Sequence, residues 1–175
     1  MLLYHGSYVE IKMPDLNFGR YNLDFDKGFY VTGYKEQAEK WAHRRKAMRR
    51  VMQNEESSEP IVSVYEMDFD STDLNILSFD GYSEAWLDFV VGNRGLAETP
   101  KIMEYDVIFG NVANDDVAAV VDDYMRLLEK GRIDSDGKRF FIKQLQFSKP
   151  NDQYCIATTK ALSLLNFIES YSLED

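Results

Sequence analysis

Residues Ile61–Phe69 alternate: Ile61, Ser63, Tyr65, Met67 and Phe69 fall on one side, Val62, Val64, Glu66 and Asp68 on the other. Period two over such a stretch commits it to a β-strand. Shorter runs rich in aromatic and β-branched residues predict further strands at Leu2–His5, Gly28–Thr32, Leu74–Phe79, Tyr105–Gly110 and Gln153–Thr158. Asp70-Ser71-Thr72-Asp73 supplies turn chemistry, and Asn54–Pro60 reads as a polar loop.

Helical spacing fills the gaps. Ala38, Trp41, Ala42, Met48 and Met52 predict a helix over Gln37–Met52. Ser83 can cap a helix running to about Val91, and Asp115 one over Asp116–Lys130 that Gly131 stops. Thr158 or Thr159 can cap Lys160–Glu169, and Phe140–Phe147 favours a short helix. Neither GxGxxG nor GxxxxGK[ST] occurs, so Rossmann and P-loop folds lack their carrier residues. The expectation is one α+β domain over residues 1–175, built around antiparallel sheet.

Composition narrows the chemistry. One cysteine, Cys155, and two histidines, His5 and His43, exclude a disulfide framework, an all-cysteine metal cage and a multi-histidine metal site. Asn114-Asp115-Asp116 reads as helix capping at least as well as metal ligation. No apolar run is long enough to span a membrane and no signal peptide is visible, so a cytoplasmic location is expected. The net charge of −10 excludes indiscriminate polyanion binding. Yet Lys35–Arg50 holds Lys35, Lys40, Arg44, Arg45, Lys46, Arg49 and Arg50 against Glu36 and Glu39, with i,i+4 pairs along one helical face. That face reads either as a solvated surface or as a docking face for an acidic partner protein or a nucleic acid.

Three short segments carry candidate chemistry. Tyr4-His5-Gly6-Ser7 ends a strand with an imidazole and a glycine that leaves the backbone approachable. Gly28-Phe29-Tyr30-Val31 presents a tyrosine on one strand face, suited to stacking and hydrogen bonding. Gln153-Tyr154-Cys155-Ile156 opens a late strand with a carboxamide. Taken alone, each also reads as ordinary strand and turn. In this order they resemble the ADP-ribosyltransferase superfamily, in the branch of diphtheria toxin and the poly-ADP-ribose polymerases, with His-Tyr-Gln where that branch has His-Tyr-Glu. Gln37-Ala38, Trp41-Ala42, Trp86–Val90, Asn93-Arg94, Tyr105–Gly110 and Asn114–Asp116 further resemble a small bacterial family of uncharacterised domains allied to it.

The resemblance implies a split pair of short antiparallel sheets with an NAD cleft between them. It implies that His5 bonds a ribose hydroxyl and that the Gly6 backbone holds the nicotinamide carboxamide. Ser7 would support the strand or a ribose, and Tyr30 would stack on the nicotinamide. Gly28 would allow close approach, and Tyr34 or Trp41 would add a second ring. Gln153 would stand in the catalytic carboxylate position, where its neutral amide accepts hydrogen bonds but is no base. Arg94 would reach the pyrophosphate. Asp152 would point away, while Asp88 and Asp106 stay open as other acids. The implied activity is ADP-ribosyl transfer from NAD, or NAD hydrolysis, with no metal. The acceptor would be an intracellular macromolecule, as for the toxin of a toxin–antitoxin or phage-defence pair. The alternative is a weak or inactive NAD-binding module.

Overall fold

The computed structural model describes residues 1–53, 59–70, 73–96, 104–113, 115–145 and 151–174. It is a mixed α+β architecture with two small sheets. In the first, β3 (Ile61–Glu66) lies between β1 (Leu2–Ser7) and β7 (Asn166–Ser172), all antiparallel. The expected alternation holds within β3. Val62 and Val64 face α1 (Lys35–Gln53), where they pack on Ala38 and Ala42. Tyr65, on the opposite face, is fully buried with Leu3, Phe29 and Met67.

The second sheet runs β2 (Phe29–Val31), β6 (Gln153–Ile156), β5 (Val107–Gly110), β4 (Ile76–Ser78). β4 and β5 are parallel, where antiparallel pairing was expected. A parallel neighbour needs a long crossover, and α2 (Glu84–Val91) lies within it. Ser83 caps α2, its hydroxyl accepting from Trp86 N at 3.2 Å. Trp86, Leu87 and Val90 pack on Val117, Val121 and Tyr124 of α3 (Asp115–Glu129) and on Ile142 and Leu145 of α4 (Ser135–Leu145). Gly131, at φ 62°, ends the α3 turn. Asn114, Ser71, Thr72 and residues 54–58 of the expected linker lie outside the described residues.

The expected helix Lys160–Glu169 is corrected. Thr158 caps only a single turn, α5 (Thr159–Leu162), and the chain then becomes β7. Tertiary pairing overrides the local spacing: β3 needs a second edge partner, and Phe167 sets its ring against Tyr65, 5.9 Å between centroids. A register shift between Val64 and Tyr65 accommodates it, and Ile168 is half exposed.

Among the described residues one isolated backbone bridge joins the sheets. Tyr4 N donates to Thr32 O at 2.8 Å and Thr32 N to Tyr4 O at 3.0 Å. Beyond that bridge β1 and β2 diverge into separate sheets.

Candidate functional site

The divergence creates a fork, and strand geometry fixes what faces into it. Along an antiparallel strand, N–H and C=O of alternate residues point to the same side. Tyr4 and Thr32 face each other, so Gly6 and Tyr30, two residues away on each strand, also turn their backbone groups toward the gap. His5 braces the fork: its Nδ1 lies 2.6 Å from Tyr30 O. A carbonyl only accepts, so Nδ1 carries the proton, and burial drives the ring's pKa down to about 4. The neutral imidazole therefore keeps Nε2 as a lone-pair acceptor. Phe29 stacks on the ring at 4.5 Å and fixes its plane.

A cavity of about 620 Å³ opens here, lined by His5, Gly6, Ser7, Gly28, Tyr30 and Gln153 among others. Of the residues that the resemblance marks for NAD, His5, Gly6, Ser7, Gly28, Tyr30, Trp41 and Gln153 meet in this lining, whereas Arg94 and Tyr34 do not. Trp41 lines the cavity, whereas Tyr34 is exposed outside it. The size suits a ligand of nucleotide dimensions.

The glycines have packing reasons that the sequence did not disclose. A Cβ on Gly6 would stand 1.9 Å from Ala38 O of α1, and one on Gly28 would stand 2.2 Å from Cys155 Sγ. The close approach at these positions is made by protein, although Gly6 keeps its backbone groups aimed into the fork. Tyr30 is likewise engaged: its hydroxyl donates to Asp26 O at 2.6 Å and accepts from Phe25 N at 3.2 Å. Burial raises its pKa well above the phenolic range. Its hydroxyl ties down the turn in which Asp26 adopts a positive φ of 56°, while its ring lines the cavity.

Gln153, almost fully buried, donates from Nε2 to Asp24 Oδ2 at 3.4 Å. Asp24 also accepts from Ala113 N at 3.0 Å and holds Arg94, whose Nη2 is 2.6 Å away. Arg94 also bonds Asp122 at 3.0 Å. This corrects the pyrophosphate assignment for Arg94, whose guanidinium is consumed by two carboxylates. The anchor Asp24 was missed, because nothing in the local pattern marks it. The acids considered from the sequence, Asp152, Asp106 and Asp88, lie outside the lining. Asp152 accepts from Thr32 Oγ1 at 2.6 Å and Gly33 N at 3.1 Å. Asp106 accepts from Thr158 Oγ1 at 2.6 Å, which heads the effects holding its pKa below the usual range. Asp88 bonds Lys138 at 2.6 Å. Cys155 is fully buried, its thiol pushed by burial up to about 12, so it is no nucleophile.

The cavity has a cationic side missed as part of the site: Arg20 and Arg45 both line it. On α1, Arg44 and Arg45 lie over the Trp41 ring at 5.1 and 6.0 Å, and Arg49 over Tyr8 at 4.3 Å. Among the described residues no cluster of histidine, cysteine or acid side chains could hold a metal. No described helix is long and apolar enough to cross a membrane.

A family model described as "Protein of unknown function (DUF3990)" matches residues 1–167. The chain belongs to that family. No curated protein and no solved structure matches the chain. The match covers every strand and helix described above except the end of β7, so the fork and the cavity lie wholly within the family's extent.

Proposed function

We propose that the chain is an NAD-dependent ADP-ribosyltransferase. One observation carries this reading: His5, Tyr30 and Gln153, from strands in two different sheets, meet in one cavity where His5 Nε2 is left as a hydroxyl acceptor. The residues fit the demands of a dinucleotide. Nε2 can accept from a ribose hydroxyl, the Gly6 backbone can take a carboxamide, and the Tyr30 ring offers a flat surface.

Transfer breaks the bond between nicotinamide and the ribose carbon, and its electron pair leaves with nicotinamide. The acceptor's lone pair forms the new bond. Positive charge builds on the ribose carbon in the transition state, as in glycoside cleavage. With Nε2 of Gln153 committed to Asp24, Oε1 is the end left to place partial negative charge near that carbon. Gln153 cannot take the acceptor's proton, which passes to solvent. An acceptor already nucleophilic, or water, suits such a site best. We assign the acceptor to an intracellular macromolecule, presented beside the basic face of α1, and place the chain with toxins neutralised by a protein partner.

The test is incubation with labelled NAD and cell extract. Nicotinamide release and macromolecular labelling are expected from wild type, with a drop of about tenfold or more in folded Gln153→Ala and His5→Gln. Equal signals from all three would refute the reading. A second reading, an NAD-binding module without turnover, is favoured by the neutral Gln153. Calorimetric binding of NAD with no nicotinamide release would establish it.

A further inference from the structure

Arg45 stands half-buried on α1, and Arg20 is exposed on the loop before β2. Both line the cavity. Their charges sense each other: after burial, Arg20 is the largest influence lowering the Arg45 pKa. Arg45 also acts on the His5 imidazole at the fork. Among the described residues neither guanidinium has an ion-pair partner. The two carboxylates in the lining are committed elsewhere. Glu10 pairs with Lys12 at 3.1 Å and accepts from Ser170, and Asp15 accepts from Asn17 N at 2.8 Å.

This arrangement is unusual for a chain with 30 acidic residues. The partly desolvated Arg45 would normally be paired, and like charges set together repel. A pair of guanidinium forks facing one space matches the oxygens of a phosphate group. Beside them, His5 Nε2 accepts from a hydroxyl. Phosphate next to a sugar hydroxyl is the chemistry of a nucleotide.

We propose that Arg20 and Arg45 form a phosphate-binding site at the side of the cavity. It takes a phosphate ester or diphosphate whose adjoining sugar hydroxyl lies on His5. Its assignment to the diphosphate of NAD rests on the proposed transferase reading; the site itself does not. A free inorganic anion is the other source of the same chemistry.

The experiment is calorimetric titration of the full chain with inorganic pyrophosphate, ADP-ribose and NAD, for wild type, Arg20→Gln, Arg45→Gln, Arg45→Lys and Lys130→Gln. Lys130→Gln makes the same change in net charge outside the cavity lining. Each Arg→Gln change is expected to weaken ADP-ribose by about tenfold or more, the worth of a charge-assisted bond. Arg45→Lys should lie between, and Lys130→Gln should stay within about twofold of wild type. Relief of repulsion should leave the thermal midpoints of the Arg→Gln variants unchanged or higher at low salt, which a structural role would not do. Pyrophosphate bound with the same dependence shows that a free anion also enters; ADP-ribose alone bound so shows that the phosphate must arrive on the nucleotide. Phosphate ligands that depend on both arginines, without any NAD binding, would uphold the site and refute the transferase reading. NAD, ADP-ribose and pyrophosphate all binding the variants as tightly as wild type, or none binding wild type, would overturn the site.

Discussion

The Gln153 amide faces the Asp24 carboxylate across 3.4 Å, and Asp24 is itself held by Arg94 and by the Ala113 N–H. A carboxylate at position 153 would meet a like charge there. Gln153→Glu is expected to lower stability by about 1–3 kcal/mol at neutral pH. The sign follows from linkage. Repulsion and burial raise the folded-state pKa of the new acid above its unfolded value of about 4.3. The penalty is therefore absent below that value and complete above the raised one. Urea titrations of wild type and variant should converge in acid and separate toward neutral pH. A constant difference would show that Asp24 is not the cause.

Most strands were legible because their signal is local. Alternation in β3 and the aromatic content of β2 need no tertiary information. β7 was not legible, since Asn166–Ser172 becomes a strand only by pairing with β3. For the site, His5, Tyr30 and Gln153 stand on strands, so pattern and order exposed them. Asp24 and Arg20 stand on irregular backbone between a single 3-10 turn at Leu16–Phe18 and β2, where no period exists to read. The reasons for Gly6 and Gly28 were hidden because the atoms they avoid, on α1 and β6, are remote in sequence.

His5 makes stability depend on pH in a known direction. Its pKa falls from 6.5 to about 4 in the folded chain, chiefly through burial. The unfolded chain therefore binds the extra proton first as pH drops. Stability from this group is complete above about 6.5 and is lost progressively down to about 4. The loss is about 3 kcal/mol at most. His5→Gln should flatten this part of the profile, read from unfolding free energies at pH 7 and pH 4.5. Identical slopes for wild type and variant would contradict the assignment of a neutral, Nδ1-protonated ring.

Arg94 should behave as a structural residue. Its side chain and that of Asp24 are only 18% and 12% exposed, so removing one charge strands the other. Arg94→Gln is expected to cost about 2–4 kcal/mol. Asp24→Asn in that background should recover part of the loss, because the stranded carboxylate is gone. The measurement is a double-mutant cycle by urea unfolding; simple additivity would mean that the pair is not coupled.

Gly28 offers the sharpest packing test. A Cβ there would overlap Cys155 Sγ at 2.2 Å and press on Ile156 O at 3.0 Å. Position 28 lies next to β2, which pairs with β6, so neither strand can retreat without breaking that ladder. Gly28→Ala should destabilise by about 2–4 kcal/mol through overpacking. Cys155→Ala removes the sulfur, whose contact with Phe25 O is a weak 3.6 Å bond, and alone should cost about 1–2 kcal/mol as a small cavity. Together the two changes should be less harmful than their sum, since the new methyl enters the space the sulfur leaves. The residual clash with Ile156 O keeps the rescue partial. A double variant as unstable as the summed singles would show that the glycine is needed for its backbone rather than for the space beside Cys155.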